Sequence, residues 1–456
     1  MNHSNNAAEE YRRMTGTPIP KLITTLALPT IVSMLVTNIY NTADTYFVSR
    51  IGTSASGAVG IVFALMALYQ AVGFMCGHGS GSFISRLLGM KEDDRAVTYG
   101  ATAFWMSFLI GAAISAVCFL LTNPLLRMLG STDTILPYAR QYAYWIFLSG
   151  PFLTTSCTIN NHLRYEGKAF YAMIGLTAGG ILNMAGDPIL MFGLGLGVSG
   201  AGLSTCVSQV VSFLILLHMV TSGKTVVHYR PSLAARTFQV YWNIVRVGSP
   251  SLARQLLGAL STVFLNRQAK VYGDPAIAAM SIVGRVTFLV GAVAIGIGQG
   301  MQPVASFNYG ARKYQRVRSS WLFTEVVGTV LLTVLGIVTF LFAEPIVAWF
   351  RNDPEVVAIG AAALRWASVS CILQQTSVSA NMLLQSTGQS RPALILASLR
   401  SGIFFIPLVL ILPIFFGVRG IETAQPVADI CSAFVSLPVA LAFLQSMGNK
   451  EQMESL

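Results

Sequence analysis

Charge is what this chain has least of. Only 10% of its 456 residues are Asp, Glu, Lys or Arg, against about 25% in an average soluble domain. So few charges cannot wet a folded surface, which excludes a water-soluble globule. Cysteine is sparse and scattered: Cys76, Cys118, Cys157, Cys206, Cys371 and Cys431 form no CxxC pair. Neither a zinc site nor a disulfide framework is therefore indicated. HExxH, a nucleophile elbow and a paired His/Cys ligand set are all missing, with His78, His162 and His218 far apart. The chain does not read as an enzyme. A P-loop is missing as well, which argues against ATP drive. The ten-residue alternating segments of a transmembrane barrel are also absent.

What is present is apolar sequence, 54% hydrophobic overall. Twelve stretches, roughly 22–48, 55–80, 97–121, 138–162, 170–192, 198–220, 243–266, 275–300, 320–343, 356–384, 393–416 and 421–446, are long and apolar. Each reaches the roughly 20 residues that a bilayer-spanning helix needs. The expected fold class is an all-α polytopic membrane protein with twelve transmembrane helices. No small-residue cleavage site closely follows the first stretch, so it reads as a retained helix. The net charge of +11 follows topology rather than nucleic acid. Arg12, Arg13, Lys21, Arg86, Lys91, Lys224, Arg312, Lys313, Arg316 and Lys450 fall on one side, and fewer basic residues, such as Arg50, Arg127 and Arg351, fall on the other. By the positive-inside rule both termini are expected in the cytoplasm.

The chain also repeats itself. A shift of 221 residues pairs Pro29 with Pro250, Gly79 with Gly300, Trp145 with Trp366, Asn160 with Asn381 and Gly167 with Gly388. Matched Trp, Asn and Gly/Pro are hard to obtain by chance in apolar helices. The expected organisation is a cytoplasmic segment 1–20, a six-helix lobe 21–222, a cytoplasmic linker 223–241, a second six-helix lobe 242–446 and a cytoplasmic tail 447–456. Six helices per copy make the two pseudo-symmetric bundles parallel repeats. Transporters commonly place the substrate between such halves, which rock against each other.

Asp44 stands near the end of the first apolar stretch. A carboxylate in hydrocarbon costs roughly 2.5–3.5 kcal/mol or more, so intramembrane acids face protein or water. From Leu22 the helix rises about 33 Å to Asp44, into the outer part of the membrane. Span five brings Asp187 to similar depth, with Asn183 one turn before it on the same face. Span six brings Thr205 there. Tyr40 and Thr37 stack below Asp44 and are candidates for lining the substrate cavity. Pro188 would free a nearby carbonyl. These hard oxygen ligands suit Na⁺, and a proton could replace it, because two carboxylates in one low-dielectric pocket repel. The alternative is an interfacial acid satisfied by water or Arg50. The second half lacks the set: Leu265 and Leu408 stand at the positions of Asp44 and Asp187. It carries Arg254, Arg285 and Arg400 instead, with Glu325 and Asp429 as expected counter-ions.

Taken together, PTIVSMLVTNIYNTADTYFVSRIG, GSGSFISRLLG with its partner GQGMQPVASFNYGAR, NNHLRYEGKA and NMAGDPILMFGLGLGVSGAG resemble the multidrug and toxic compound extrusion (MATE) transporters. The resemblance covers nearly the whole chain. It implies two six-helix lobes forming a V, and cation-coupled export of organic, often cationic, compounds. It implies an ion site at Asp44, Asn160, Asn183, Asp187 and Thr205, with H⁺ or Na⁺ as coupling ion and no other cofactor. Another branch carries acids on helices seven and ten; 243–266 and 371–385 have none here. The chain looks most like the bacterial multidrug subgroup, which implies a multi-pass monomer in the cytoplasmic membrane. A flippase for a lipid-linked precursor or polysaccharide is the other reading. It would need extra helices or a basic central cavity.

Overall fold

A computed structural model describes residues 2–454. The side chains of 1–7, 224 and 449–456 fall outside the described set, which takes in Lys224, Lys450 and nearly all of the expected tail. Every regular element among the described residues is helical. In order they are α1 (Asn2–Gly16), α2 (Ile19–Ser49), α3 (Thr53–Gly89), α4 (Asp93–Leu120), α5 (Thr122–Met128), α6 (Leu136–Tyr165), α7 (Ala169–Pro188) and α8 (Gly197–Met219). The second repeat follows as α9 (Phe238–Ala269), α10 (Asp274–Gly310), α11 (Tyr314–Leu341), α12 (Ala343–Phe350), α13 (Pro354–Ser386), α14 (Ser390–Ser398), α15 (Phe405–Phe416) and α16 (Val418–Glu454). A π-turn, Ile189–Gly193, continues α7, and another, Leu399–Phe404, joins α14 to α15.

Ten of these helical runs among the described residues are long and apolar enough to cross a membrane. The other two spans are α6 and α9, with 30 and 32 residues. They carry more polar side chains, among them Ser, Thr and Asn on α6 and Arg246, Arg254 and Gln255 on α9. The fold is thus an all-α polytopic one with twelve spans, as the apolar runs predict.

The repeats end their helices alike. Gly167 (φ 76°) follows α6 and Gly388 (φ 84°) follows α13, both in the left-handed region that glycine reaches without a Cβ clash. Lys168 N donates to Leu163 O at 2.7 Å, and Gln389 N to Leu384 O at 2.8 Å. These are the 6→1 bonds of a glycine C-cap.

The chain forms two compact units. One holds Met1–Arg13 and Val32–Leu252, and the other Met14–Ile31 and Ala253–Leu456. The unit boundary therefore runs through α2 and α9, two or three residues past Pro29 and Pro250, rather than through the linker. Each unit contains the early half of the other repeat's first helix. Glycine permits that packing. In the first unit a Cβ on Gly79 would lie 2.2 Å from Ile244 O, and one on Gly248 2.0 Å from Met75 O. In the second, Gly300 faces Ala27 and Gly296 faces Ile31 at 2.4–2.7 Å from the built Cβ. Close backbone approach of this kind is how helices associate where lipid removes the hydrophobic drive.

Residues 223–241, expected as a linker, are bound to the first unit. Val226 N and Val227 N donate to Glu166 at 2.8 and 3.2 Å. Trp105 Nε1 donates to Tyr229 O at 3.0 Å, and the Tyr229 hydroxyl meets His162 Nδ1 at 3.0 Å. Val227 is fully buried against Gly100. Burial pushes the Glu166 carboxyl above the usual carboxylate range, against the opposing pull of Lys168 and the two amides.

Candidate functional site

The acidic cluster is assembled inside the first unit by a small-residue ridge on α7. Gly175, Gly179 and Gly186 share one face with Asn183. Their built Cβ atoms would meet Leu216, Ser212 and Ser204 of α8 at 2.4, 2.9 and 2.6 Å. The ridge draws α8 close enough for side chains to bond across. Asn183 Nδ2 lies 3.2 Å from Asp187 Oδ1, 3.2 Å from Thr205 Oγ1 and 3.4 Å from Ser204 Oγ. Ser204 Oγ donates back to Asn183 O at 3.2 Å.

Asp44 enters from α2. It is 9% exposed, and its Oδ2 accepts the Tyr142 hydroxyl of α6 at 2.9 Å. Asp187 is fully buried and lies within electrostatic range of Asp44. Tyr142 is also close to Thr205 and Asp187. Four helices thus converge on two carboxylates. Each acid keeps one buried oxygen, Asp44 Oδ1 and Asp187 Oδ2, with no hydrogen-bond partner among the described residues. Buried acceptors left unmatched are costly. A site with two of them on neighbouring carboxylates is one that a cation or a proton stabilises.

Arg50 does not reach the cluster; it is exposed and bonds the Tyr46 hydroxyl. Tyr40 lies buried against Gly180 of α7, whose built Cβ would be 3.0 Å from its ring. Thr37 is half-buried and donates to Ser33 O of its own helix at 2.8 Å. Asn160 stands apart. It lies 18 residues beyond Tyr142 on α6, about 27 Å along the axis. There its Nδ2 donates to Ala172 O at 2.9 Å, just as Asn381 Nδ2 donates to Ala393 O at 2.6 Å in the second unit. Both side chains tie a helix to the next one. We expect Asn160→Ala and Asn381→Ala each to destabilise by about 0.5–1.5 kcal/mol, since each removes a buried hydrogen bond between helices while the carbonyl keeps its bond within its own helix. Thermal unfolding in detergent checks this, and unchanged melting in both would refute the tie.

In the second unit Arg400 Nε donates to Asp429 Oδ1 at 2.7 Å. Glu325 is instead held by Thr376 and by Ser379 Oγ, the latter at 2.5 Å. Arg254 Nη1 donates to Asn381 Oδ1 at 3.0 Å, and Arg285 is exposed. At the counterparts of the two acids, Leu265 and Leu408 pack on an apolar cluster around Phe405 and Val409. The acidic site thus has an apolar counterpart in the second unit.

The family model described as MatE matches residues 29–189 and 250–411, one copy per repeat. The chain belongs to the MATE family. Its relatives include the multidrug export protein MepA of Staphylococcus aureus strain MSSA476, 28% identical over 427 residues, 92% of this chain and 93% of that one. MepA of Staphylococcus haemolyticus is 26% identical over 90% and 91% of the two chains. Among solved structures, an outward-facing multidrug resistance MATE transporter of the MOP superfamily superposes with a TM-score of 0.90 at 24% identity, covering 95% and 98% of the chains.

Two members of this transporter's acidic cluster escape the sequence. Tyr142 sits in QYAYWIF, where tyrosines and tryptophans read as an interfacial aromatic belt. Ser204 adjoins Thr205 and gives no separate signal. The length of α6 places Tyr142 at the depth of Asp44, and that depth match is the clue available without coordinates. Tyr142→Phe removes the hydroxyl that donates to Asp44 Oδ2. The expected result is a roughly tenfold slower export of a cationic dye at unchanged expression, from the ~1–3 kcal/mol cost of an unpaired buried group. An unchanged export rate would show that the hydroxyl is dispensable.

Proposed function

We propose that this MATE transporter exports organic, often cationic, compounds in exchange for H⁺ or Na⁺ by alternating access. The observation that carries the reading is the pair of buried carboxylates, Asp44 and Asp187, each with an unpartnered oxygen. Asp44, Asn183, Asp187 and Thr205 supply the oxygens for the ion, and Asn160 steadies the helix pair behind them. Tyr40 and Thr37 line the approach on α2. Relatives named as multidrug export proteins in staphylococci give the cargo class by analogy.

Helix α2 is suited to move. Pro29 removes one backbone donor from its interior. Thr25, Thr30, Thr37, Thr42 and Thr45 each turn their hydroxyl onto a carbonyl four residues back. Such back-bonds weaken and bend helices. Loading an ion at Asp44 changes what the late half of α2 packs against, and the proline gives the bend a place to occur. A basic flippase cavity is less well supported, because Arg400 is neutralised by Asp429. The protein acts as a monomer in a bacterial cytoplasmic membrane with both termini inside.

The test is uptake of a fluorescent cationic dye into inverted vesicles under separately imposed proton and Na⁺ gradients. Dye accumulation driven by one of the two supports the reading. Accumulation that ignores both gradients refutes the coupling.

A further inference from the structure

We propose that the second unit holds a binding site for the carboxylate group of an organic compound, built on Arg400 and Asp429. It rests on the export reading only in taking organic compounds as ligands. The site is a cavity of about 110 Å³ whose lining belongs wholly to the second unit.

Asp429 is its floor. One oxygen accepts Arg400 Nε at 2.7 Å and Gln425 Nε2 at 2.8 Å, and the other accepts Ser370 Oγ at 3.3 Å. The Asp429 side chain is 4% exposed and that of Arg400 30%. Both members of the pair line the cavity, and Arg400 is the more exposed of the two. The Arg400 Nη groups make no hydrogen bond among the described residues. Two parallel N–H donors on a planar guanidinium edge match the two oxygens of a carboxylate.

Comparison of the two repeats shows that the cavity is built rather than left over. Met66, Cys118, Phe147 and Leu153 belong to one buried apolar cluster of the first unit. Their counterparts at the 221-residue shift, Thr287, Thr339, Ser368 and Gln374, line the cavity. Thr339 and Ser368 already pair their hydroxyls at 2.7 Å. Tyr69 fills the first unit here, with its hydroxyl 2.9 Å from Ser115 Oγ; Val290 replaces it and leaves the space open. The backbone adapts too. Arg400 rides on the π-turn Leu399–Phe404, whereas its counterpart Gly179 lies in regular helix. Ser261 Oγ satisfies the turn's Ser401 carbonyl at 2.5 Å. Single π-turns often mark functional positions. The same backbone thus carries a dry core in one unit and a charged, hydroxyl-lined pocket in the other.

A cavity of this size takes a carboxylate and the atoms beside it, not a whole drug. The test is dye binding to the purified full chain in lipid nanodiscs, read by fluorescence anisotropy. The probes are rhodamine 110, which bears a free carboxylate, and its methyl ester rhodamine 123. One variant is the double substitution Arg400→Gln with Asp429→Asn, since removing only one partner leaves a buried charge alone. The other is Val290→Tyr, which refills the cavity as the first unit does and leaves the ion pair in place. Both should weaken binding of the acid by about tenfold or more, the scale of a lost bidentate charge-assisted contact, and leave the ester within about twofold. Equal losses for acid and ester, or no loss for either, would overturn the proposal. Binding needs neither gradient nor export. Loss of export with this dye selectivity intact would count against the transport reading alone.

Discussion

Asp44→Asn should reduce gradient-driven dye transport to background while the protein still inserts and folds. The substitution keeps the shape of the side chain, and its amide can still meet Tyr142. It removes the charge that an ion or proton answers. A fall of about 100-fold in initial rate, equivalent to ~2.8 kcal/mol, is expected from losing one ligand charge at a buried site. Asp187→Asn should act similarly, because the two carboxylates sense each other. Effects of two groups sharing one site do not add, so the double variant should be no worse than either single one. The measurement is dye uptake into inverted vesicles, normalised to the amount of folded transporter. Full coupled uptake by Asp44→Asn would defeat the mechanism.

Gly248→Val should remove nearly all folded protein. The built Cβ on Gly248 lies 2.0 Å from Met75 O and 2.7 Å from Met75 C. These are backbone atoms of a facing helix, so no side chain can swing away. Overpacking at such a contact costs about 1–3 kcal/mol or more, and here the whole crossing of α3 with α9 must open. Gly248→Ala should be milder, since the second unit carries Ala27 at the equivalent place and faces it with Gly300. Gly284→Val is the control, with nothing within 4 Å of its built Cβ. Fluorescence-detected size exclusion would show a monodisperse peak for the control and almost none for Gly248→Val. A normal peak for Gly248→Val would show that the crossing is loose.

Much of the fold is legible in the sequence because a bilayer leaves a chain few options. Spans must be about 20 apolar residues long, and a duplication copies its Gly and Pro landmarks. The acids are legible for the same reason: Asp44 and Asp187 stand out against apolar neighbours, and depth arithmetic brings Thr205 beside them. The exchange of early halves between α2 and α9 is not legible. Equivalent residues resemble each other, and resemblance does not say which copy packs against which. Gly79 pairs with Gly248, and Gly300 with Ala27, only in three dimensions. Tyr142 is hidden because a buried tyrosine and an interfacial one look alike in sequence. The linker is hidden because its partner, Glu166, lies sixty residues away from Val226. The contrast between the dry core of the first unit and the polar cavity of the second emerges only when counterparts are compared one by one.

The central claim is that the Asp44–Asp187 pair holds the ion that an incoming compound displaces. The direct measurement is ion release from the purified transporter in nanodiscs when a cationic dye binds, following protons with a pH indicator and Na⁺ with a radioactive tracer. The account predicts release of one of the two ions by the wild-type protein and none when both Asp44→Asn and Asp187→Asn are present. Equal release from that double variant would contradict it.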